Sequence, residues 1–269
     1  MNPSVLFVFI LSILLGVLRA ADLAFGTDAV TGLCVVGSVW WRYLALGIVV
    51  LAAVLVGRTQ PSRSEAVRSR RPLAGILAFV GAVCFLAAAG AQIALGAASG
   101  LGGFVRCILE CLCSAWLSTM GRCWLSPNEW KKPFGGLYLA VAGSLLFYWN
   151  VLLRFMENSS SWHRVEPTAM VWQMLAALVF LSAMIRALWL PETSNGCQLC
   201  EAGICTFLLC FCWELPRVLV LLFHGITAAD LPEVLFGFGM CCIGALGLFT
   251  VARVAGSDGR PAMPRHAVG

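Results

Sequence analysis

Apolar residues occur along this chain in repeated runs of about 20, separated by short polar connections. A helix of that length, rising about 1.5 Å per residue, matches the thickness of a bilayer's hydrocarbon core. A membrane β-barrel would instead show alternating segments of about ten residues. The pattern predicts an all-α, polytopic transmembrane helix bundle with eight spans, at about residues 3–20, 40–57, 73–96, 103–125, 134–155, 168–190, 203–223 and 232–254.

Composition leaves no room for a soluble domain. Hydrophobic residues make up 60% of the chain and charged residues 12%, with a mean hydropathy of +0.89. We therefore expect a single integral membrane domain over residues 1–256 and a short basic cytoplasmic tail over 257–269. The first span is expected to be retained, because no basic residue precedes it and Arg19 stands where a small-residue cleavage site would lie.

Basic residues predict the orientation of the bundle. The connection after the second span carries five arginines against one acid, Glu65, and cytoplasmic loops are enriched in such residues. These five arginines are Arg58, Arg63, Arg68, Arg70 and Arg71, which we call the basic loop. An even number of spans then places both termini in the cytoplasm, in a plasma-type membrane. The basic loop either anchors this topology or binds anionic lipid head groups. The net charge of +5 does not indicate nucleic-acid binding.

The seventh span is unusual because it carries Glu214, Pro216 and Arg217 near its middle. A charge at the centre of a span costs about 3 kcal/mol on an insertion scale, so these charges must be satisfied within the fold. Glu214 and Arg217 are three residues apart and share one helix face. Pro216 has no N–H to bond the carbonyl of Cys212, which predicts a kink there.

The fourth span carries a comparable stripe, with Arg106 and Glu110 at a depth similar to that of the seventh-span charges. We therefore predict an intramembrane polar cluster of Arg106, Glu110, Glu214 and Arg217, with Glu110 near Arg217. Three further polar residues lie at similar depth and are possible members: Gln92, Asn150 and Gln173. The cluster either lines an outward-facing polar cavity between spans three to seven or only locks the bundle.

The clearest short motif is Cys197-Gln-Leu-Cys200, a possible redox or metal pair. The sequence offers no second cysteine pair or nearby histidines to complete a zinc site, so we predict no metal and no cofactor. No phosphate-binding loop, Gly-x-Ser-x-Gly motif or His-Glu metal motif is present. An incidental pair is the simpler interpretation.

Three functional classes remain open. The first is a non-enzymatic multi-pass membrane protein with a buried Glu/Arg cluster between the fourth and seventh spans, whose partner is the lipid bilayer. The second is a small-solute transporter or ligand-binding membrane protein that uses the polar cavity. The third is a membrane thiol oxidoreductase that uses Cys197 and Cys200. The sequence identifies no substrate, coupling ion or oligomeric state.

Overall fold

The computed structural model describes residues 2–28, 33–60, 65–98, 100–126, 133–156, 165–190, 196–225 and 227–255. Within these ranges the chain is predominantly helical, with one isolated bridge between Thr27 and Cys34 and no strand. Eight helical stretches are long and apolar enough to cross a membrane. The predicted all-α, multi-pass fold is therefore confirmed. Arg63 of the basic loop and the tail at 257–269 lie outside the described residues.

The helices of the described residues follow the predicted spans closely. They are α1 Pro3–Ala21, α2 Val39–Arg58, α3 Pro72–Ala94, α4 Gly100–Leu125, α5 Gly136–Met156, α6 Val165–Trp189, α7 Gly196–Thr206, α8 Glu214–His224 and α9 Leu231–Val254. A π-helical segment, Phe207–Trp213, joins α7 to α8, so that the three form one seventh span. A π-helical turn, Asp22–Gly26, extends α1, and a 3₁₀ turn, Glu65–Arg68, precedes α3.

Local sequence accounts for where several helices begin. The side chains of Asn2 and Ser38 accept hydrogen bonds from the backbone N–H groups of Ser4 and Trp40, which would otherwise have no partner in the first turn. Prolines occupy the start of α1, α3 and α9, where the missing N–H removes no helical hydrogen bond. Ordinary helix-start signals thus mark the first residues of these helices.

The spans alternate in direction, which gives the bundle two distinct ends. At the polar end, α1, α3, α5 and α8 finish and α2, α4, α6 and α9 begin; the basic loop lies at the opposite, basic end. The last span is the most enclosed, with 72% of its most apolar stretch buried, whereas α2 has 22% buried and is peripheral. Helix α9 therefore forms the centre of the bundle, against which α3, α7 and the π-helical segment pack.

Several helix crossings require glycine, among them those at Gly247 and Gly16. A Cβ on Gly247 of α9 would lie 2.5 Å from the carbonyl oxygen of Gly203 in α7. A Cβ on Gly16 of α1 would lie 2.6 Å from the carbonyl oxygen of Cys212 in the π-helical segment. Small residues at such crossings let backbones approach closely, which is how helices associate in lipid. These contacts fix α1 and α9 on opposite faces of the seventh span.

Candidate functional site

The seventh span is irregular where the sequence predicts a kink. Pro216 cannot donate to Cys212, and the seven residues from Phe207 to Trp213 adopt π-helical hydrogen bonding before α8 begins. The carbonyl of Leu209, within this segment, accepts a hydrogen bond from Nε2 of Gln173 at 3.2 Å. Gln173 of α6 therefore donates a hydrogen bond to a backbone carbonyl within the irregular part of the seventh span. The irregularity ends at Glu214, the first residue of α8.

Glu214 is buried and pairs within its own span. Its Oε1 accepts a hydrogen bond from Nε of Arg217 at 2.9 Å, and Arg217 Nη2 contacts the same oxygen. Its Oε2 accepts from Nε2 of Gln173 at 3.0 Å. Arg217 also approaches Glu166, at the start of α6, with 3.5 Å between Nη1 and Oε1. The carboxylate therefore has partners on both oxygens, as a buried charge requires.

Glu110 of α4 forms a second centre, separate from Glu214. Both of its oxygens accept from Nε2 of Gln92, at 3.0 and 3.1 Å, and Oε1 also accepts from Nε of Arg106 at 3.0 Å. The guanidinium of Arg106 reaches onward to Oε1 of Glu233 in α9, at 3.0 Å, and lies over the ring of Phe236 at 4.9 Å. Arg106 thus links α4 to α9.

The predicted direct contact between Glu110 and Arg217 is not among the ion pairs that the structure makes. The reason is the direction in which each stripe faces. Cys107 and Ser114 bond Gln92 and the carbonyl of Ala82, so the α4 stripe faces α3. Thr206 and Cys210 bond carbonyls of α6, so the seventh-span stripe faces α6. Helix α9 contacts both centres: Glu233 accepts from Arg106 at 3.0 Å, and a Cβ on Gly237 would come within 2.8 Å of Glu214 Oε1.

A small cavity, which we call the polar cavity, lies beside Glu214 and Arg217 and reaches Arg106 and Glu233. Its volume is about 90 Å³. Five charged side chains line it: Arg106, Arg154, Arg217, Glu214 and Glu233. Asn150 and Gln173 also line it, together with Phe236 and the methionines Met170, Met174 and Met240. Gln92 is not part of this lining; it lies behind Arg106, against Glu110.

Sequence reasoning missed three members of this region: Arg154, Glu166 and Glu233. Each lies within a few residues of the end of its helix that faces the polar end of the bundle. A charge at such a position is usually explained by contact with water at the membrane interface. One signal was available for Glu233, which is four residues before Gly237 and therefore shares the small-residue face of α9. A charge on a face that packs against other helices is expected to point into the bundle.

A separate ion-pair cluster joins α1 to α2 at the polar end of the bundle. The guanidinium of Arg19 bonds Asp22 at 2.9 Å, and Nε of Arg42 bonds both carboxylate oxygens of Asp22 at 2.9 Å. Arg19 is also buried over the ring of Trp213, with 4.8 Å between its Cζ and the ring centroid. Arg19 and Asp22 therefore hold α1 against α2 and the seventh span.

The cysteine motif belongs to the helix rather than to a loop, because α7 begins at Gly196. Cys197 Sγ lies 2.7 Å from the carbonyl oxygen of Gln60, and Cys200 is fully buried. Neither forms a disulfide. Among the described residues, no group of three or more His, Cys, Asp or Glu side chains could hold a metal ion.

The basic loop divides into exposed and buried arginines. Arg58 and Arg70 are exposed, whereas Arg68 is half-buried and donates to the carbonyl of Leu188 at 2.9 Å. Arg71 is buried at the start of α3, and this burial, with a smaller contribution from the charge of Arg253, lowers its pKa to about 10. Arg58 and Arg70 are therefore the exposed members of this loop among the described arginines.

Comparison with known proteins adds no family to this description. No family model, no curated protein and no solved structure matches this chain.

Proposed function

We propose that this multi-pass membrane protein is non-enzymatic and binds a small polar solute or ion in the polar cavity. The observation that carries the proposal is the cavity itself, which reaches the buried carboxylate of Glu214 and is bordered by Arg106, Arg217 and Glu233. A site that only locked helices together would be expected to close around its charges, because an unfilled space between them loses packing contacts. Intramembrane charges around a cavity are a common mark of a solute or ion site.

The size and charge of the cavity limit what it could hold. About 90 Å³ corresponds to a few water molecules and is smaller than the roughly 150 Å³ that admits benzene. Three arginines and two glutamates line it, so both a cationic and an anionic group would find a partner. We therefore propose an inorganic ion or a solute of a few heavy atoms. The π-helical segment beside Glu214 favours transport of that solute as the purpose of binding.

Hydroxyl-radical footprinting of the intact protein in lipid nanodiscs tests whether the cavity is hydrated. Met240 lines the cavity and is 1% exposed, whereas Met120 and Met184 are fully buried elsewhere in the bundle. Radicals generated from water inside the cavity should oxidise Met240 several times faster than the two control methionines. Equal oxidation of all three would show a dry, packed charge cluster and would refute the proposal.

A second arm tests binding once hydration is established. Sodium, ammonium, chloride, acetate and glycine are titrated separately, and a bound probe should slow the oxidation of Met240 by displacing water while leaving Met120 unchanged. If the oxidation of Met240 responds to none of the cations, anions or zwitterions, the solute-binding function fails and a structural role for the charges replaces it.

The remaining features of this proposal concern the membrane. Both termini are proposed to be cytoplasmic, with the polar cavity nearer the outer face of a plasma-type membrane, on the strength of the arginines of the basic loop. Anionic lipid head groups are the proposed partners of Arg58 and Arg70, the exposed arginines of that loop. A thiol oxidoreductase function gains no support, because Cys200 is buried and Cys197 is held against Gln60.

A further inference from the structure

A second, larger cavity opens on the side of the bundle, away from the polar cavity. We call it the lateral groove: α2 and α6 form its walls and α7 its floor, and its volume is about 740 Å³. Helix α2 makes few contacts with α6 and packs mainly on α7, so the two walls diverge toward the surrounding lipid. The groove follows α6 from Trp172 to Arg186, about 21 Å at 1.5 Å per residue.

The middle of the lateral groove is apolar. Val50 and Val54 line it from α2, and Val179 and Ala183 from α6. Val179 is 54% exposed. In a membrane this surface must be covered by hydrocarbon, and its length is about two-thirds of the hydrocarbon core. An acyl chain lying along the groove would meet this surface over most of its length.

The basic end of the lateral groove is charged. Arg58 is 67% exposed, and its only ion pair with a described residue is with Glu201, at 3.5 Å. Arg186 lies across the groove from α2, is exposed, and makes no hydrogen bond or ion pair with any residue that the structure describes. Among the described residues of this rim, two guanidiniums face one carboxylate, which leaves an excess positive charge where the apolar groove reaches the membrane surface.

We propose that the lateral groove is a binding site for one anionic phospholipid, whose phosphate lies between Arg58 and Arg186 and whose acyl chain lies along Val179. Guanidinium groups bind phosphate oxygens with charge-assisted hydrogen bonds, so the head group would supply Arg186 with a partner that no described residue provides. A transmembrane helix is a poorer occupant, because a cylinder of about 10 Å diameter over the same length needs about 1,600 Å³. The proposal is independent of the polar cavity.

Native mass spectrometry of the delipidated full-length protein tests the site, with phosphatidylglycerol and phosphatidylcholine of identical acyl chains as probes. Phosphatidylglycerol should be retained in preference to phosphatidylcholine. Arg186→Gln should lower the retained fraction about fivefold, the factor expected from removing one basic residue beside an anionic head group. The matched control is Arg122→Gln, an exposed arginine in the last turn of α4 at the same end of the bundle.

A second pair of variants separates the groove from its charged rim. Val179→Trp fills the groove without changing charge, whereas Val83→Trp places the same residue at a comparably exposed position on α3, outside the groove. Val179→Trp should reduce phosphatidylglycerol retention and Val83→Trp should not, with both proteins monodisperse and equally thermostable.

Equal retention of the two lipids by the wild type would overturn the proposal. Loss of retention with Arg186→Gln but not with Val179→Trp would also overturn it, because the lipid would then contact the head-group site without occupying the groove. A change of oligomeric state with Val179→Trp would overturn it as well, because another helix would then occupy the groove. Because none of these residues lines the polar cavity, failure here leaves the proposed solute binding in that cavity untouched.

Discussion

The pairing of Glu214 with Arg217 predicts a specific pattern of stability in a double-mutant cycle. Their side chains are 3% and 12% exposed, and the other ion-pair partner of Arg217, Glu166, is 37% exposed and 3.5 Å away. Replacing either residue alone by leucine leaves the other charge buried with too few partners, which should destabilise the protein by about 3–5 kcal/mol. Replacing both removes the buried charges together and should destabilise it by less than about 2 kcal/mol.

The free energy of unfolding would be measured by reversible denaturation of the intact protein in detergent micelles. A parallel cycle pairs Glu110→Leu with Arg217→Leu, the contact that the sequence predicted. Glu110 and Arg217 share no hydrogen-bond partner in the structure, so their effects should add to within about 0.5 kcal/mol. A double variant of Glu214 and Arg217 as unstable as the sum of its singles would refute the geometry. Strong coupling between Glu110 and Arg217 would instead support the sequence-based pairing.

Two further predictions concern helix packing. Gly247→Ala places a methyl group 2.5 Å from the carbonyl oxygen of Gly203, against an ordinary contact of at least 3.4 Å, and should destabilise the protein by about 1–3 kcal/mol in a thermal unfolding assay. The control Gly90→Ala places its methyl group in open space and should be neutral or slightly stabilising. Equal effects of the two substitutions would contradict the close crossing of α7 and α9. Gln173→Leu removes the hydrogen bonds to the carbonyl of Leu209 and to Glu214, so thermal stability should fall by the equivalent of about 1–3 kcal/mol. An unchanged melting temperature would show that neither hydrogen bond contributes to stability.

The placement of the charged residues shows what periodicity can predict. The positions of Glu110, Glu214 and Arg217 within apolar spans were sufficient to predict that they are satisfied inside the bundle, because lipid offers no alternative partner. Which partner each one takes could not be predicted in this way. A stripe of residues at helical spacing shares a face, but the spacing is the same whichever neighbour that face meets.

Three structural features depend on packing rather than on local sequence. Glu233 enters the site because α9 is central, which neither its position near a helix start nor its charge reveals. The irregular segment before Pro216 was predicted as a kink, but its contacts with Gln173 and Gly16, which lie on other helices, could not be read from local sequence. The lateral groove exists because α2 packs on α7 and diverges from α6, a relation between three helices.

The sequence by itself determined the membrane fold class and, to within a few residues at most helix ends, the eight spans of this protein. The physical reason is that a bilayer requires apolar helices of nearly fixed length, and that requirement is written locally in the order of residues. Only the tertiary structure decided that Glu110 and Arg217 belong to two centres rather than to one ion pair, and that α9 contacts both centres beside a cavity. That outcome depends on which neighbouring helix each helix face contacts, and close packing across the whole bundle determines these contacts.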